Sequence, residues 1–448
     1  VPFYNFGLEG YVGYALYGLA IAALLAAVCW RPVAGLYFLT PLLPLQTVRY
    51  RLNGFPWGES VVYVMLLGIG LGLWRKGKPV LPATPWTRLL VMYCLFTFAS
   101  LWAGAWYLGA APPLPGDPRF ADWLAYMTMP ALFFVTASAV ANLREARILL
   151  ALMCLAMLQL DRSFWGTVSG RDFSSYSQEL RDTLSAGGSM GYAGVNGLAA
   201  FEAQAATFLL AMAACEPRRR FRLAYLGLAA YSALCLMYSL SRGAYAAFLA
   251  GWLFLGLVKQ RLLLVVLAVF ALVWTAVVPQ AVVERVRMTR GEDGQLDHSA
   301  ELRIALWEDS WELIRARPAL GTGFNTYPYL GRVGSYRDTH NYYLEVLVET
   351  GVAGLALFVA LLARSFLEGW RLFRGAKDPL WAGVGLGVAG WVICAAVSNA
   401  FGDRWTYLQI QGFFWVLAGL AARGRQLNHE RASAGAVAEA AVPVLAAR

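Results

Sequence analysis

A chain of 448 residues in which 59% are hydrophobic and only 14% charged is too apolar for a soluble domain, where about a quarter of residues carry charge. Its mean hydropathy of +0.53 marks an integral membrane protein. The net charge of +10 does not imply nucleic acid, because most of it sits in short loops between apolar runs, where Lys and Arg set membrane orientation.

Apolar segments near the length a membrane span needs, about 17–25 residues, cover 11–30, 59–74, 86–110, 121–142, 148–160, 194–215, 223–240, 243–258, 262–278, 341–363, 381–400 and 405–422. They predict an all-α, polytopic transmembrane bundle of about twelve spans, the fifth of them short. Segment 33–48 follows Arg31-Pro32 with almost no loop. It is a candidate thirteenth span, a half-span or a kinked continuation, so the N-terminal topology stays open.

The basic stretches 75–78, 143–147, 217–222, 259–261 and 364–377 alternate correctly to lie together in the cytoplasm. This alternation puts 161–195 and 279–340 outside, in the periplasm of a Gram-negative host. The expected organisation is N-terminal spans (1–160), a first external loop (161–195), central spans (196–278), a long external loop with short amphipathic helices (279–340), C-terminal spans (341–422) and a disordered cytoplasmic tail (423–448). Val1 opens the chain without methionine and no cleavable-signal pattern follows, so the spans are expected to drive insertion. The six cysteines lie in or beside apolar runs without metal-ligand spacing, which predicts neither disulfides nor a cysteine metal site.

Polar candidates gather on the outer side. Residues 300–316 predict a helix on which Ile304, Trp307, Trp311 and Ile314 form an apolar stripe, ended by Arg317-Pro318. Such a helix suits a bilayer surface or the roof of a membrane cavity, and packing onto the bundle explains its tryptophans equally well. It leaves the charge of Arg303 unexplained. In Tyr-Ser-Leu-Ser-Arg-Gly-Ala-Tyr (238–245) one span gives way to the next almost without a loop. Ser239 or Ser241 can cap the new helix, and Arg242 beside its N-terminus reads as a phosphate site or as a side chain snorkelling to the interface.

His340 is one of three histidines. With Asp338 or Thr339 as cap it falls in the first turn of the next helix, where the positive end of the dipole favours a neutral imidazole. It reads as a base or as a structural interfacial histidine. Arg162, Arg171, Arg181, Arg285, Arg287, Arg290, Arg332 and Arg337 make the outer face basic and suited to a polyanion. Asp161-Arg162, Arg171-Asp172 and Arg181-Asp182 read in part as surface pairs of little energetic value. The acidic cluster Glu292, Asp293 and Asp297 reads as solvated loop, so no metal is expected. Glu345 and Glu349, an i, i+4 pair, are functional candidates or bond within the bundle.

Four stretches together resemble the O-antigen ligase and polymerase superfamily: 191–199 with Asn196, Ser241-Arg242-Gly243, the order Ser299, Arg303, Trp307, Pro318, Gly321, Gly323, and His340 followed by Glu349-Thr350-Gly351 and Gly354. The resemblance covers 191 to about 357; the first half agrees only in hydropathy. It implies transfer of a glycan from undecaprenyl diphosphate to an acceptor hydroxyl outside the inner membrane, without a cofactor. His340 is implied as general base, with Arg242 and Arg303 holding the diphosphate and Arg162, Arg181, Asn196 and Ser241 as support. Arginine can replace a metal at a diphosphate, since guanidinium binds phosphate bidentately and stays charged. The moderate external loop, with no soluble C-terminal domain after it, favours a ligase acting on lipid A-core, with en bloc inverting transfer, over a protein-glycosylating relative, while a polymerase of the same superfamily has comparable architecture and stays the alternative. A lipid-linked oligosaccharide flippase is the alternative from another class. It would place polar sites near the bilayer midplane, whereas these gather at the outer face. Expected partners are the lipid-linked O-antigen, lipid A-core and membrane lipids.

Overall fold

Helix boundaries follow local signals that the sequence carries plainly. Thr84-Pro85, Asp117-Pro118 and Asp378-Pro379 each put a capping side chain ahead of a proline at the first helical position, and each cap accepts a backbone N–H of the first turn. Asn142 caps the same way, and Glu145 reaches back to the N–H of Ala141. The structure, a computed structural model, describes residues 9–186, 190–288, 298–334 and 337–445. The acidic cluster Glu292, Asp293 and Asp297, Arg290, and the Ser299 side chain lie outside the described residues.

The described residues are all-α: α1 (Glu9–Cys29), α2 (Val33–Leu42), α3 (Gln46–Arg49), α4 (Val61–Arg75), α5 (Pro85–Tyr107), α6 (Pro118–Ala139), α7 (Leu143–Val168), α8 (Gln178–Ala186), α9 (Gly194–Cys215), α10 (Arg219–Tyr238), α11 (Arg242–Val258), α12 (Leu262–Val277), α13 (Gln280–Arg287), α14 (His298–Ala316), α15 (Tyr327–Leu330), α16 (Tyr342–Gly375), α17 (Pro379–Asn399) and α18 (Leu408–Leu445). Seven of these are long and apolar enough to cross a membrane, or eight if α12 and α13, bent by 110° at their junction, count as one span. The sequence predicts about twelve. Counting the bent pair, the difference lies in α4 and α11, which are apolar but among the helices of 10–17 residues, in α18, whose apolar start runs on into Arg423 and Arg425, and in α7, which turns polar from Asp161 onward. Segment 33–48 resolves into the separate helix α2, followed by α3.

The centre of the bundle is α9 and α17, both buried along most of their length and packed on each other, on α11 and, through α17, on α16. Small residues bring these backbones close, as membrane helices require. A Cβ on Gly385 would lie 2.6 Å from the carbonyl oxygen of Gly369 on α16. No residue of α12 is buried, so this apolar helix is left to lipid. At one end Arg75 donates to the carbonyl oxygen of Val28, beside Arg31. The C-terminal stretch that composition reads as disordered continues as helix to Leu445, consistent with the high helix propensity of its alanines.

Candidate active site

Two short connections and a long one meet at the end of the bundle opposite Arg75. Ser241 stands at the N-cap position of α11 but makes no side-chain cap bond, and Ser239 donates to the Leu236 carbonyl instead. The expected serine cap is therefore absent, and the Ser241 hydroxyl lines a cavity. Arg242, first residue of α11, donates to the carbonyl oxygen of Met288. Gly243 admits the ring of Phe401, whose Cγ would lie 2.7 Å from any Cβ there.

The cavity so formed has a volume of about 370 Å³ and is lined by Arg181, Arg242, Arg285, Arg303 and Arg404 together with Asn196 and Ser241, with no carboxylate in its wall among the described residues. Arg181 donates to the Oδ1 of Asn196 at 3.2 Å. Arg285, 4% exposed, lies over the ring of Tyr176 at 4.9 Å. Arg404 is held by its backbone: its N–H donates to Asn399, and its carbonyl accepts from Gln411. Burial pushes the Arg404 guanidinium below its ordinary pKa, against the opposing pull of Asp403 and Asp338. Five guanidinium groups gathered in one wall suit an anion with several acceptor oxygens. The volume lies in the range of about 300–1,000 Å³ usual for ligand sites.

His340 lies beside this cavity rather than in its wall. The helix after it is capped by Asn341, whose side chain accepts the N–H groups of Tyr343 and Leu344, so His340 precedes α16 instead of occupying its first turn. The expected cap by Asp338 or Thr339, and the dipole argument built on it, are corrected accordingly. Instead His340 holds a left-handed backbone conformation, φ 51°, which a non-glycine residue adopts only where its surroundings impose it. Asp338 supplies the restraint: its Oδ1 lies 2.6 Å from His340 Nδ1 and accepts the His340 backbone N–H at 2.8 Å. On α14, Arg303 lines the cavity while Trp307, one turn on, donates from Nε1 to the carbonyl oxygen of Thr339 at 3.2 Å. This helix thus ties the basic cavity to the histidine segment. Burial pushes the Asp338 carboxyl up, but the hydrogen bond and charge of His340, aided by Arg404, hold it below the usual carboxylate range.

The remaining motif residues build the scaffold. Gly351 breaks α16 at φ 64°, and the segment from Pro318 to Tyr327 fills the break. Val352 and Ala353 donate to the carbonyls of Pro318 and Ala319, and Thr322 and Gly323 donate to those of Val348 and Glu349. The Glu349 carboxylate accepts the N–H groups of Asn325 and Tyr327 at 2.8 and 3.0 Å. Glu349 is thus bonded within the bundle, the second of the readings its sequence position allows.

Arg162 is exposed on α7 and does not line the cavity. The surface-pair reading of the external arginines gives way at Arg181, which turns to Asn196 while Asp182 accepts from Gln178. Of the two readings of the stripe on α14, packing onto the bundle holds only for Ile314. Ile304, Trp307 and Trp311 are 39–48% exposed, and Leu306, Ser310, Leu313 and Ile314 form the buried seam. Sequence reasoning passed over Arg404 and left Arg285 unranked.

Fold and site together define a multi-pass helical membrane protein with an arginine-lined cavity at one end. A family model described as O-antigen ligase matches residues 227–359, less than half of the chain. The matched stretch contains Arg242, Arg285, Arg303 and His340, while Arg181, Asn196 and Arg404 lie outside it. No curated protein matches the chain.

Proposed function

We propose that the protein is an O-antigen ligase. It transfers the glycan en bloc from undecaprenyl diphosphate to a hydroxyl of lipid A-core at the periplasmic face of the inner membrane. The observation that carries this reading is the gathering of Arg181, Arg242, Arg285, Arg303 and Arg404 around one cavity next to the His340–Asp338 pair.

In this reading Asp338 fixes the imidazole with its proton on Nδ1, which places the lone pair on Nε2. Nε2 takes the proton of the acceptor hydroxyl as the oxygen attacks the anomeric carbon of the donor sugar. The bond from that carbon to the diphosphate oxygen breaks on the opposite face, which inverts the configuration. The departing diphosphate gains charge, and the guanidinium groups stabilise it where a sugar transferase of another kind uses a divalent ion. A position at the end of the bundle suits transfer between two lipid-borne molecules better than transport through the midplane.

The test is transfer from purified undecaprenyl-diphosphate-linked glycan to purified lipid A-core by wild type and His340→Ala, with chelator present and thermal unfolding as a fold control. Product from wild type that is lost in the folded variant supports the reading. Product formed only between donor molecules makes the protein a polymerase, and undiminished transfer by the variant removes His340 from the mechanism.

A further inference from the structure

Where α16 and α18 run out of apolar residues, at the end of the bundle opposite the arginine-lined cavity, three guanidinium groups converge on one carboxylate. Glu368 on α16 is 1% exposed. Its Oε1 accepts from Arg364 at 2.6 Å and from Arg371 at 3.1 Å, about one turn before and one turn after it on the same helix. Its Oε2 accepts from Arg425 on α18. Three guanidinium groups against one carboxylate leave two positive charges over, and Glu368 is the only acid among the described residues with which any of the three pairs. The Nε of Arg364 is buried and finds no hydrogen-bond partner among the described residues.

Joining two helices does not require this surplus. A single bidentate guanidinium satisfies a carboxylate, and like charges drawn partly into protein repel unless an anion stands among them. The side chains of Arg364, Arg371 and Arg425 are 25%, 49% and 36% exposed, so an anion can reach them from outside the bundle. Position supplies the kind of anion. On α16 the exposed residues Val352, Ala356, Val359, Ala363 and Leu367 recur every three or four positions and form one apolar stripe along the spanning helix. Arg371 is the next exposed position of that stripe. A hydrocarbon chain lying along it therefore ends at the guanidinium cluster, and arginines between spanning helices at this depth suit an anionic lipid headgroup.

We propose that Arg364, Arg371 and Arg425 form a site for the phosphate of an anionic glycerophospholipid. The lipid lies in the leaflet on this side, which the basic loops assign to the cytoplasm, with an acyl chain along the stripe of α16. Its phosphate oxygens accept from guanidinium N–H groups that Glu368 leaves unbonded. Glu368 spaces the arginines and, by its own charge, limits the affinity. The bound lipid joins the inner ends of α16 and α18, the helices whose outer ends follow His340 and Arg404. Binding needs no glycan and is independent of the transfer reading.

The experiment uses the full chain, freed of lipid in detergent, and follows its unfolding midpoint as each probe is added, since a ligand bound only by the folded state raises the midpoint. The probes are phosphatidylglycerol, phosphatidylcholine with the same acyl chains, and inorganic phosphate. Phosphatidylglycerol is expected to half-saturate the shift at a concentration about tenfold below phosphatidylcholine. Arg371→Gln removes a half-exposed member of the cluster, at small cost to the fold, and is expected to weaken phosphatidylglycerol about fivefold. Glu368→Gln keeps the shape and removes the competing charge, and is expected to strengthen it about fivefold. Each variant is compared with its own lipid-free midpoint, so a change in basal stability does not enter. An ion-pair cluster that only joins the helices would move the basal midpoint and leave the lipid preference where it was. Equal half-saturation by the two lipids, an affinity for phosphatidylglycerol that both variants leave unaltered, or an equal shift from inorganic phosphate at matched concentration overturns the proposal.

Discussion

His340 and Asp338 act as a unit, since one carboxylate oxygen receives both the ring and the backbone N–H of the histidine. Asp338→Asn is therefore expected to lower kcat more than donor KM, because the amide no longer favours the Nδ1–H tautomer. A variant that alters only donor KM would refute the positioning role. The pair also carries a pH signature. The carboxyl of Asp338 is held below its ordinary value by His340, so its contribution to stability is complete above about pH 4, the usual carboxylate range, and is lost as pH falls through the lowered value. Thermal unfolding should show wild type more stable than Asp338→Asn at neutral pH and the gap closing below about pH 4. At the arginine-lined cavity, on the proposed transfer, Arg404→Ala is expected to cost about 10²- to 10³-fold in kcat/KM, with Arg162→Ala near wild type in the same assay. Arg242, Asn196 and Ser241 were legible as site candidates from short motifs at span ends and Arg303 from the Ser-Arg-Trp order of the long loop, whereas Arg181 was named only alongside Arg162, which the structure leaves outside the cavity. Arg404 was not legible, because no motif marks it, and only the fold brings it to the other four arginines.

At the scale of elements, the motif around Pro318 and Gly351 is an interlock. It was visible as a pattern of glycines and invisible as a structure, because its two halves lie in separate segments that the sequence reads as loop and uninterrupted span. Gly351 has φ 64°, and a Cβ there would lie 2.3 Å from the Ala319 carbonyl carbon and oxygen. Gly351→Ala thus combines a left-handed conformation with a backbone clash and is expected to destabilise by at least about 1–3 kcal/mol. Glu349→Ala leaves two backbone N–H groups without their acceptor, at roughly 1–3 kcal/mol each, and should lower Tm and transfer together. Loss of transfer with Tm unchanged would mean that Glu349 works in chemistry rather than in holding the loop. The apolar stripe on α14 was legible as helix, but periodicity left its face open between the bilayer and the bundle; here Trp307 spends its indole N–H on Thr339 while Leu306 and Leu313 pack inward.

At the scale of the molecule, two charge distributions oppose each other across the bundle. The basic loops near Arg75, Arg147, Arg218 and Arg374 mark one end, which the bias of Lys and Arg assigns to the cytoplasm. The arginine-lined cavity occupies the other, against that bias. A charge-count rule sees the second set as noise in the first, although the rule concerns short loops emerging from spans, and the cavity arginines are partly drawn into protein. Arg285 is nearly buried and Arg404 partly so. Orientation should therefore follow the loops and be unaffected by the cavity. In a background with the exposed Cys29 replaced by serine, Arg332→Cys is expected to react with a membrane-impermeant thiol reagent in intact spheroplasts. Arg218→Cys should react only after the membrane is opened. Both arginines are exposed, so access rather than burial decides the result. The reverse labelling pattern would put the arginine cavity in the cytoplasm and remove its access to a periplasmic acceptor. A pattern that follows the loops leaves the cavity arginines as residues retained on the outer side for what they bind.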